Sequence, residues 1–154
     1  MPTGPGKTIA VKEGCSAMEE LTQEELQTFF LRDQFAAYVG IELLEAGNGR
    51  ALARLKLSEH HRNGLGMVQG GAIFTLADLA FAAAVNSRGR AAVAIHASIS
   101  YVKAAQGDVL IAEASEVSCG PKIAVYAIRI TEPSGELISS FEGMAYRKKE
   151  RVTL

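Results

Sequence analysis

Residues 68–89 read VQGGAIFTLADLAFAAAVNSRG, and one aspartate lies in the middle of this otherwise apolar stretch. Between Gly71 and Asn86 the only charged side chain is Asp78, and Thr75 is the only other polar one. An ionised carboxylate in such surroundings costs several kcal/mol unless it is paired, hydrogen-bonded or open to a cavity. The aspartate therefore needs a structural or a chemical reason to be there.

The stretch predicts a helix from about Gly70 to Ser87, with Gly89 just past its end. A helix that is apolar on nearly every side has to be enclosed by other elements rather than docked along one face. Its first backbone N–H groups have no partner within the helix, and the helix dipole favours negative charge there. Gly70 and Gly71 let a ligand approach those donors, which suits a developing oxyanion, although close backbone packing explains such a pair about as often.

The segments around this helix have the two-residue period of β-strands. The sequence GNG at 47–49 separates two of them and is a strong hairpin signal. The strand-like runs cover residues 41–46, 50–57, 91–103, 108–118, 122–132 and 136–147. Strands joined by hairpins form antiparallel sheets, and one long sheet curled around one helix would enclose it. We therefore predict an α+β protein with the hotdog fold, an antiparallel sheet wrapped around a long central helix, with an N-terminal helix.

The N-terminal part of the chain divides into a leader and the start of the domain. Residues 1–17 contain three Gly and two Pro in no regular pattern, and we interpret them as a flexible or appended leader. A single hotdog domain is predicted over residues 18–154. Thr22 and Glu25 form a capping-box pattern, which indicates the start of an amphipathic helix that continues until just before Gly40.

The composition argues against several classes of protein. Sixteen basic and seventeen acidic residues give a net charge of −1, so no basic surface indicates a nucleic-acid partner. The longest apolar stretch, residues 70–85, is shorter than the roughly 20 residues of a membrane span, so no membrane partner is expected. Cys15 and Cys119 fit no metal-binding spacing, and we predict that they are reduced in a cytoplasmic protein. We expect neither a metal nor a cofactor.

Asp78 lies eight residues beyond Gly70, which separates the two by roughly 12 Å along one helix. A nucleophile or base and an oxyanion donor must both lie about 3 Å from the reacting group, so one helix cannot supply both. Two antiparallel helices that meet across a two-fold axis can, because the Gly70 end of one lies beside Asp78 of the other. If Asp78 is catalytic, the active unit is a dimer. The alternative is a structural carboxylate bonded to a neighbouring backbone group or at a subunit interface.

Residues 63–71 (NGLGMVQGG), 73–78 (IFTLAD) and 86–87 (NS) resemble the phenylacetate-pathway (PaaI-type) branch of the hotdog acyl-CoA thioesterases. The pattern of that branch runs roughly N-x-x-G-x-x-H-G-G, then F-x-L-A-D, then a helix end with N-S. The resemblance covers about residues 20–148. It implies an acyl-CoA substrate and a homo-oligomer, expected to be a tetramer since the family commonly pairs its dimers. Aromatic acyl groups such as phenylacetyl or hydroxyphenylacetyl follow the family, yet aliphatic chains would fit the same apolar cleft.

The resemblance also implies roles for single residues. Asp78 matches the acid that acts as nucleophile or general base, and Gly70 matches the residue whose N–H polarises the thioester carbonyl from the opposite subunit. Asn63 matches a polar residue that helps to position the nucleophile or water. Gln69 departs from the pattern, because the family usually has His there. An amide can only form hydrogen bonds, whereas an imidazole can also gain or lose a proton near neutral pH. The 4-hydroxybenzoyl-CoA thioesterases resemble this arrangement with Gln. We therefore favour an orienting role for Gln69.

Further residues are candidates for substrate binding. Gly71 belongs to the glycine pair at the helix start. His96 lies on a predicted strand with Ala94, Ser98 and Ser100 on its face, where it would border the acyl group or be a satisfied sheet histidine. Basic residues that could meet the phosphates of coenzyme A are Arg62, Arg88, Arg90, Lys103 and Lys122. The adjacent His60 and His61 lie on a loop and do not indicate a metal site.

Three functions fit the pattern. The first is an acyl-CoA thioesterase, with Asp78 as nucleophile or as base for water. The second is a non-catalytic acyl-CoA-binding module, which would need the cleft but not the acid. The third is a hotdog dehydratase or hydratase, which relies on a catalytic His that Gln69 replaces. The acid favours the thioesterase.

Overall fold

The computed structural model describes Cys15 and residues 18–154. The predicted leader therefore lies outside the described residues, apart from Cys15. The elements are α1 (Gln23–Phe30), α2 (Gln34–Val39), β1 (Ile41–Gly47), β2 (Arg50–Lys56), a 3-10 turn (Glu59–His61), α3 (Gly70–Asn86), β3 (Arg90–Tyr101), β4 (Val109–Cys119), β5 (Ile123–Thr131) and β6 (Leu137–Arg151). The predicted order of elements is confirmed from α1 to β6, with the predicted N-terminal helix present as two helices.

The six strands form one antiparallel sheet in the order β1-β2-β4-β5-β6-β3. Every strand of this sheet contacts α3, so the sheet wraps around the helix. This arrangement confirms the predicted hotdog fold. Consecutive strands are joined mostly by tight turns, and the Asn48-Gly49 turn has positive φ at both residues, 54° and 73°, as the type I′ hairpin requires.

The core forms between α3 and the concave face of the sheet. Phe81 is fully buried, and its ring packs 5.8 Å from that of Tyr126 and 6.1 Å from that of Phe141. A Cβ atom at Gly143 on β6 would lie only 2.8 Å from the Phe81 ring. The glycine therefore lets the sheet approach the helix closely enough to enclose its apolar surface.

The N-terminal helical segment differs from the prediction in one respect. The capping box of Thr22 and Glu25 starts α1 as predicted, and Gly40 ends α2 with a φ of 90°. The predicted single helix is nevertheless wrong, because the segment is two helices. The Asp33 side chain accepts a hydrogen bond from the N–H of Ala36 at 2.9 Å and caps a new helix. A short carboxylate that competes for backbone donors interrupts a helix in this way.

The two cysteines are joined in a disulfide, so the prediction that they are reduced is wrong. Cys15 and Cys119 are separated by 104 residues, and their Cα atoms lie 5.3 Å apart. Spacing along the chain could not indicate this pair, because folding brings Cys15 to the end of β4. The cysteines therefore no longer support a cytoplasmic location, which stays a prediction. No helix among the described residues is long and apolar enough to cross a membrane.

Candidate active site

Asp78 lies in the third turn of α3 and is half-buried. No residue in the described part of the chain gives its carboxylate a hydrogen bond or an ion pair. Burial raises the pKa of Asp78 above its usual value, and the negative charge of Asp33 raises it further. Within this chain, the carboxylate is therefore not held by a structural bond.

The start of α3 has one unused backbone donor. Gln69 is the N-cap residue, and its side-chain oxygen accepts a hydrogen bond from the N–H of Gly71. The backbone carbonyl of Gln69 accepts from Ala72 at 3.0 Å. The N–H of Gly70 has no acceptor among the described residues. This amide can therefore bind the oxygen of an incoming carbonyl, with the helix dipole favouring the charge that develops there.

Asn63 organises the loop before α3. Its side-chain oxygen accepts hydrogen bonds from the N–H groups of Leu65 at 2.9 Å and Met67 at 3.1 Å. Its own N–H donates to the carbonyl of Met67 at 2.7 Å. The side-chain oxygen is thus engaged within the loop, and the amide nitrogen is the part of Asn63 left to contact a substrate or water.

His61 connects this loop to α2. Its Nδ1 atom accepts a hydrogen bond from the N–H of Ser58 at 2.9 Å, and its Nε2 atom donates to the carbonyl of Val39 at 2.6 Å. This pairing requires the neutral imidazole with its proton on Nε2. Because both ring nitrogens are engaged, His61 acts as a structural brace.

A cleft of about 840 Å³ opens beside the start of α3. Its walls include Phe35 and Tyr38 from α2, His60 from the loop, and Gln69, Gly71 and Thr75 at the start of α3. Gly71 and Thr75 lie on the same side of the helix as Asp78, at spacings of seven and three residues. The cleft therefore lies along the side of α3 that carries Asp78, although neither Asp78 nor Gly70 lines it, and it is largely apolar.

Arg88 is committed to a structural network. Its guanidinium donates to Glu116 at 2.9 and 3.1 Å and to Asn48 at 3.0 Å, and it also pairs with Glu20. Its side chain is only 20% exposed. A guanidinium saturated in this way has few donors left for a phosphate, so Arg88 instead links the ends of α3 and β4 to the first hairpin.

The other predicted binding residues lie apart from one another. Arg62 pairs with Glu59 at 3.6 Å beside the start of α3. Lys122 is exposed near the opposite end of α3, at the start of β5, and its carbonyl accepts from the N–H of Arg147 at 2.7 Å. Since α3 is about 24 Å long, one chain does not bring Arg62 and Lys122 together.

His96 is exposed on β3, next to a bulge between Ala94 and His96. Ala94 pairs with the buried Ala145 and His96 pairs with Met144, so the two lie on opposite faces of the sheet. The predicted grouping of Ala94 with His96 is therefore wrong, because an extra residue in a strand exchanges the faces that follow it. Ser98 and Ser100 lie on the same face of the sheet as His96, as predicted.

Tyr101 is a residue of the site that the sequence did not reveal. It ends β3, and its hydroxyl donates a hydrogen bond to the carbonyl of Gly70 at 2.9 Å. No motif indicated it, because the contact joins residues that are 31 positions apart.

Comparison with known proteins agrees with the hotdog fold described above. Residues 65–139 match the Thioesterase superfamily. A relative from Archaeoglobus fulgidus, whose name assigns it only to the esterases, is 39% identical over 122 residues, which are 79% of each chain. The acyl-coenzyme A thioesterase PaaI of Escherichia coli is 30% identical over 137 residues, which are 88% of this chain and 98% of PaaI.

Solved structures show the same fold. The structure of E. coli PaaI, from the phenylacetic acid degradation operon, has a TM-score of 0.78 and 31% identity, covering 82% of this chain and 92% of that one. A hypothetical thioesterase of Streptococcus pneumoniae, solved with coenzyme A, has a TM-score of 0.74 and 26% identity, covering 82% and 99%. The chain therefore belongs to the thioesterase superfamily, in its PaaI-like hotdog branch. It is a thioester hydrolase.

Proposed function

We propose that this protein hydrolyses acyl-CoA thioesters to a carboxylic acid and coenzyme A, with Asp78 and Gly70 as its catalytic groups. The observation that carries the proposal is that α3 presents an unpaired, half-buried carboxylate and a free N–H eight residues apart. The names of two similar proteins support the substrate class, since PaaI is an acyl-coenzyme A thioesterase and the S. pneumoniae protein was solved with coenzyme A.

In the proposed reaction the N–H of Gly70 donates to the thioester oxygen as it gains negative charge. Asp78 either attacks the carbonyl carbon, forming a mixed anhydride that water then hydrolyses, or takes a proton from the attacking water. The carbon–sulfur bond breaks in both routes, and the leaving thiolate takes up a proton that comes from the reacting water, directly or through Asp78, to give coenzyme A. The Asp78 carboxylate must be ionised in either role, so its raised pKa places the acid limb of the rate above the usual aspartate range.

The proposed active unit is a dimer, because Gly70 and Asp78 of one helix are roughly 12 Å apart. β3 lies at the edge of the sheet and leaves one side of its backbone without a neighbouring strand among the described residues. Val93 and Ile95 on this strand are 45% and 53% exposed. An open twelve-residue edge with exposed apolar side chains favours pairing with a second copy. Pairing of two such dimers would give the tetramer implied by the family.

The lining of the cleft supports the proposal that the substrate carries an aromatic acyl group, such as phenylacetyl or hydroxyphenylacetyl. Phe35, Tyr38 and Phe74 line it, and planar rings pack well against one another in such an apolar space. Gly71 lines the same cleft, and its lack of a side chain leaves room for the Gln69 side-chain oxygen, which would lie 2.7 Å from a Cβ atom there. Arg62 and Lys122 remain proposed contacts for the phosphates of coenzyme A.

The proposal is tested by measuring thiol release from straight-chain and aryl acyl-CoAs by the wild type and by Asp78→Asn. We expect turnover to fall about 10²- to 10⁴-fold in the variant, with the oligomer unchanged in size-exclusion chromatography. Asp108→Asn is the matched control, since Asp108 is an exposed loop carboxylate. Full activity in Asp78→Asn would refute the site. Acyl-CoA binding without thiol release by the wild type would identify a binding module instead.

A further inference from the structure

The peptide group that joins Gly70 to Gly71 is held from two sides. Its carbonyl, which belongs to Gly70, accepts a hydrogen bond from the Tyr101 hydroxyl at 2.9 Å. Its N–H, which belongs to Gly71, donates to the side-chain oxygen of Gln69. Both polar groups of one rigid peptide plane are therefore bound by side chains, and rotation of that plane would break both bonds.

The preceding peptide group, between Gln69 and Gly70, is fixed as well. Its carbonyl accepts from the N–H groups of Ala72 at 3.0 Å and Ile73 at 3.4 Å. The N–H of Gln69 itself donates to the carbonyl of His61 at 2.7 Å. In the part of the chain that the structure describes, the donor left open at this point is the N–H of Gly70. Its direction is that of the Gln69–Gly70 peptide plane, and the backbone dihedrals of Gly70 link this plane to the next one, which Tyr101 and Gln69 hold.

Tyr101 lies close to the Cα atom of Gly70, so a side chain at residue 70 would displace the Tyr101 ring. A Cβ atom at this position would lie 2.9 Å from the Tyr101 Oη atom and 3.0 Å from its Cζ atom. The ring thus lies directly against the backbone that carries the free donor. Tyr101 is 53% exposed, so its position does not come from filling the core.

We infer that Tyr101 and Gln69 are positioning residues that together aim the N–H of Gly70 at the substrate carbonyl. This inference rests on the proposed function, and it gives Gln69 a defined orienting role on the protein backbone. An oxyanion donor stabilises the transition state only when its direction is set before the reaction. Neither side chain needs to touch the substrate to have this effect.

The test compares Tyr101→Phe, which removes only the hydroxyl, with the wild type in the thiol-release assay. We expect kcat to fall about fivefold to tenfold, as for the loss of one hydrogen bond, with KM and the melting temperature unchanged. Amide hydrogen exchange at Gly71 should become faster. Tyr146→Phe is the matched control, because Tyr146 is 39% exposed and its hydroxyl has no partner among the described residues.

A double-mutant cycle with Gln69→Ala tests whether the two side chains act on the same peptide group. The combined variant should lose less activity than the product of the two single losses. An unchanged kcat and unchanged exchange in Tyr101→Phe, beside an active wild type, would overturn the inference and leave the proposed function intact. A fall in melting temperature together with a raised KM would also overturn it. A wild type that releases no thiol would instead refute the proposed function.

Discussion

Replacing Asp78 by Asn is expected to make the protein more stable at neutral pH while it lowers the rate of hydrolysis about 10²- to 10⁴-fold. The carboxylate is half-buried in α3, and no cation or N–H of the described residues compensates its charge. The amide of Asn has nearly the same shape but carries no charge. A residue retained for its structural bonds would behave in the opposite way, because its replacement would remove those bonds.

The sign of this change in stability follows from the number of protons bound in the folded and the unfolded state. Burial and then the charge of Asp33 raise the pKa of Asp78 in the folded state above the usual 3.8. Between these two pKa values the folded state holds more protons than the unfolded state, so the free energy of unfolding falls as the pH rises through this window. The amide in Asp78→Asn does not titrate, so the free energy of unfolding of the variant does not fall in this window for this reason. Below about pH 3.8 the carboxyl is neutral in the folded and the unfolded wild type, and the advantage of the variant disappears.

The size of the effect follows from the surroundings of the carboxylate. A buried polar group without a partner costs about 1–3 kcal/mol, and a fully buried charged group costs more. Asp78 is partly exposed, so screening by solvent reduces the expected gain to about 1 kcal/mol. In a chain of 154 residues this corresponds to a rise in melting temperature of about 2–4 °C.

Thermal unfolding of the wild type, Asp78→Asn and Asp108→Asn between about pH 5 and pH 8 measures this effect. The gain should appear only in Asp78→Asn and should shrink toward the acidic end. Asp108 is exposed and serves as the control for loss of a surface charge. A melting temperature that drops by several degrees in Asp78→Asn would refute the reasoning, because it would show that the carboxylate makes a stabilising bond.

Two further predictions concern Asp33 and the disulfide. Asp33→Asn keeps a residue that can cap α2 but removes a charge that raises the pKa of Asp78. The acid limb of the kcat/KM profile should therefore move to lower pH. An acid limb at the same pH in the variant and the wild type would exclude this electrostatic effect. Cys119→Ser removes a disulfide that spans 104 residues and should lower the free energy of unfolding by about 2–4 kcal/mol. Reductant should lower the melting temperature of the wild type but not that of the variant. A wild type insensitive to reductant would show that the disulfide does not form in solution.

Much of the fold could be predicted from the sequence, because its signals are local. The apolar run predicted α3 almost to the residue, and the GNG sequence predicted the first hairpin. The separation of Gly70 and Asp78 also follows from the sequence, since helix geometry converts eight residues into a distance. That distance is the basis for proposing a shared site in a dimer.

The break between α1 and α2 shows the limit of such signals. Asp33 is read equally well as a polar residue on a helix surface and as a helix cap. Only its bond to Ala36 decides between the two. The bulge beside His96 is similar, because one extra residue exchanges the faces of β3 and leaves no mark in the alternating pattern.

The sequence alone predicts the enclosed helix, the antiparallel strands and Asp78 as the unusual charged residue of that helix. These features depend on the spacing and polarity of residues that are close together in the chain. Which of the predicted groups remain free to react depends instead on how the chain folds. Arg88 is saturated by Glu116 and Glu20, whereas Asp78 and the N–H of Gly70 are left open. These differences arise from contacts such as that of Tyr101 with Gly70, between residues far apart in the chain, which come together only when the sheet wraps around α3.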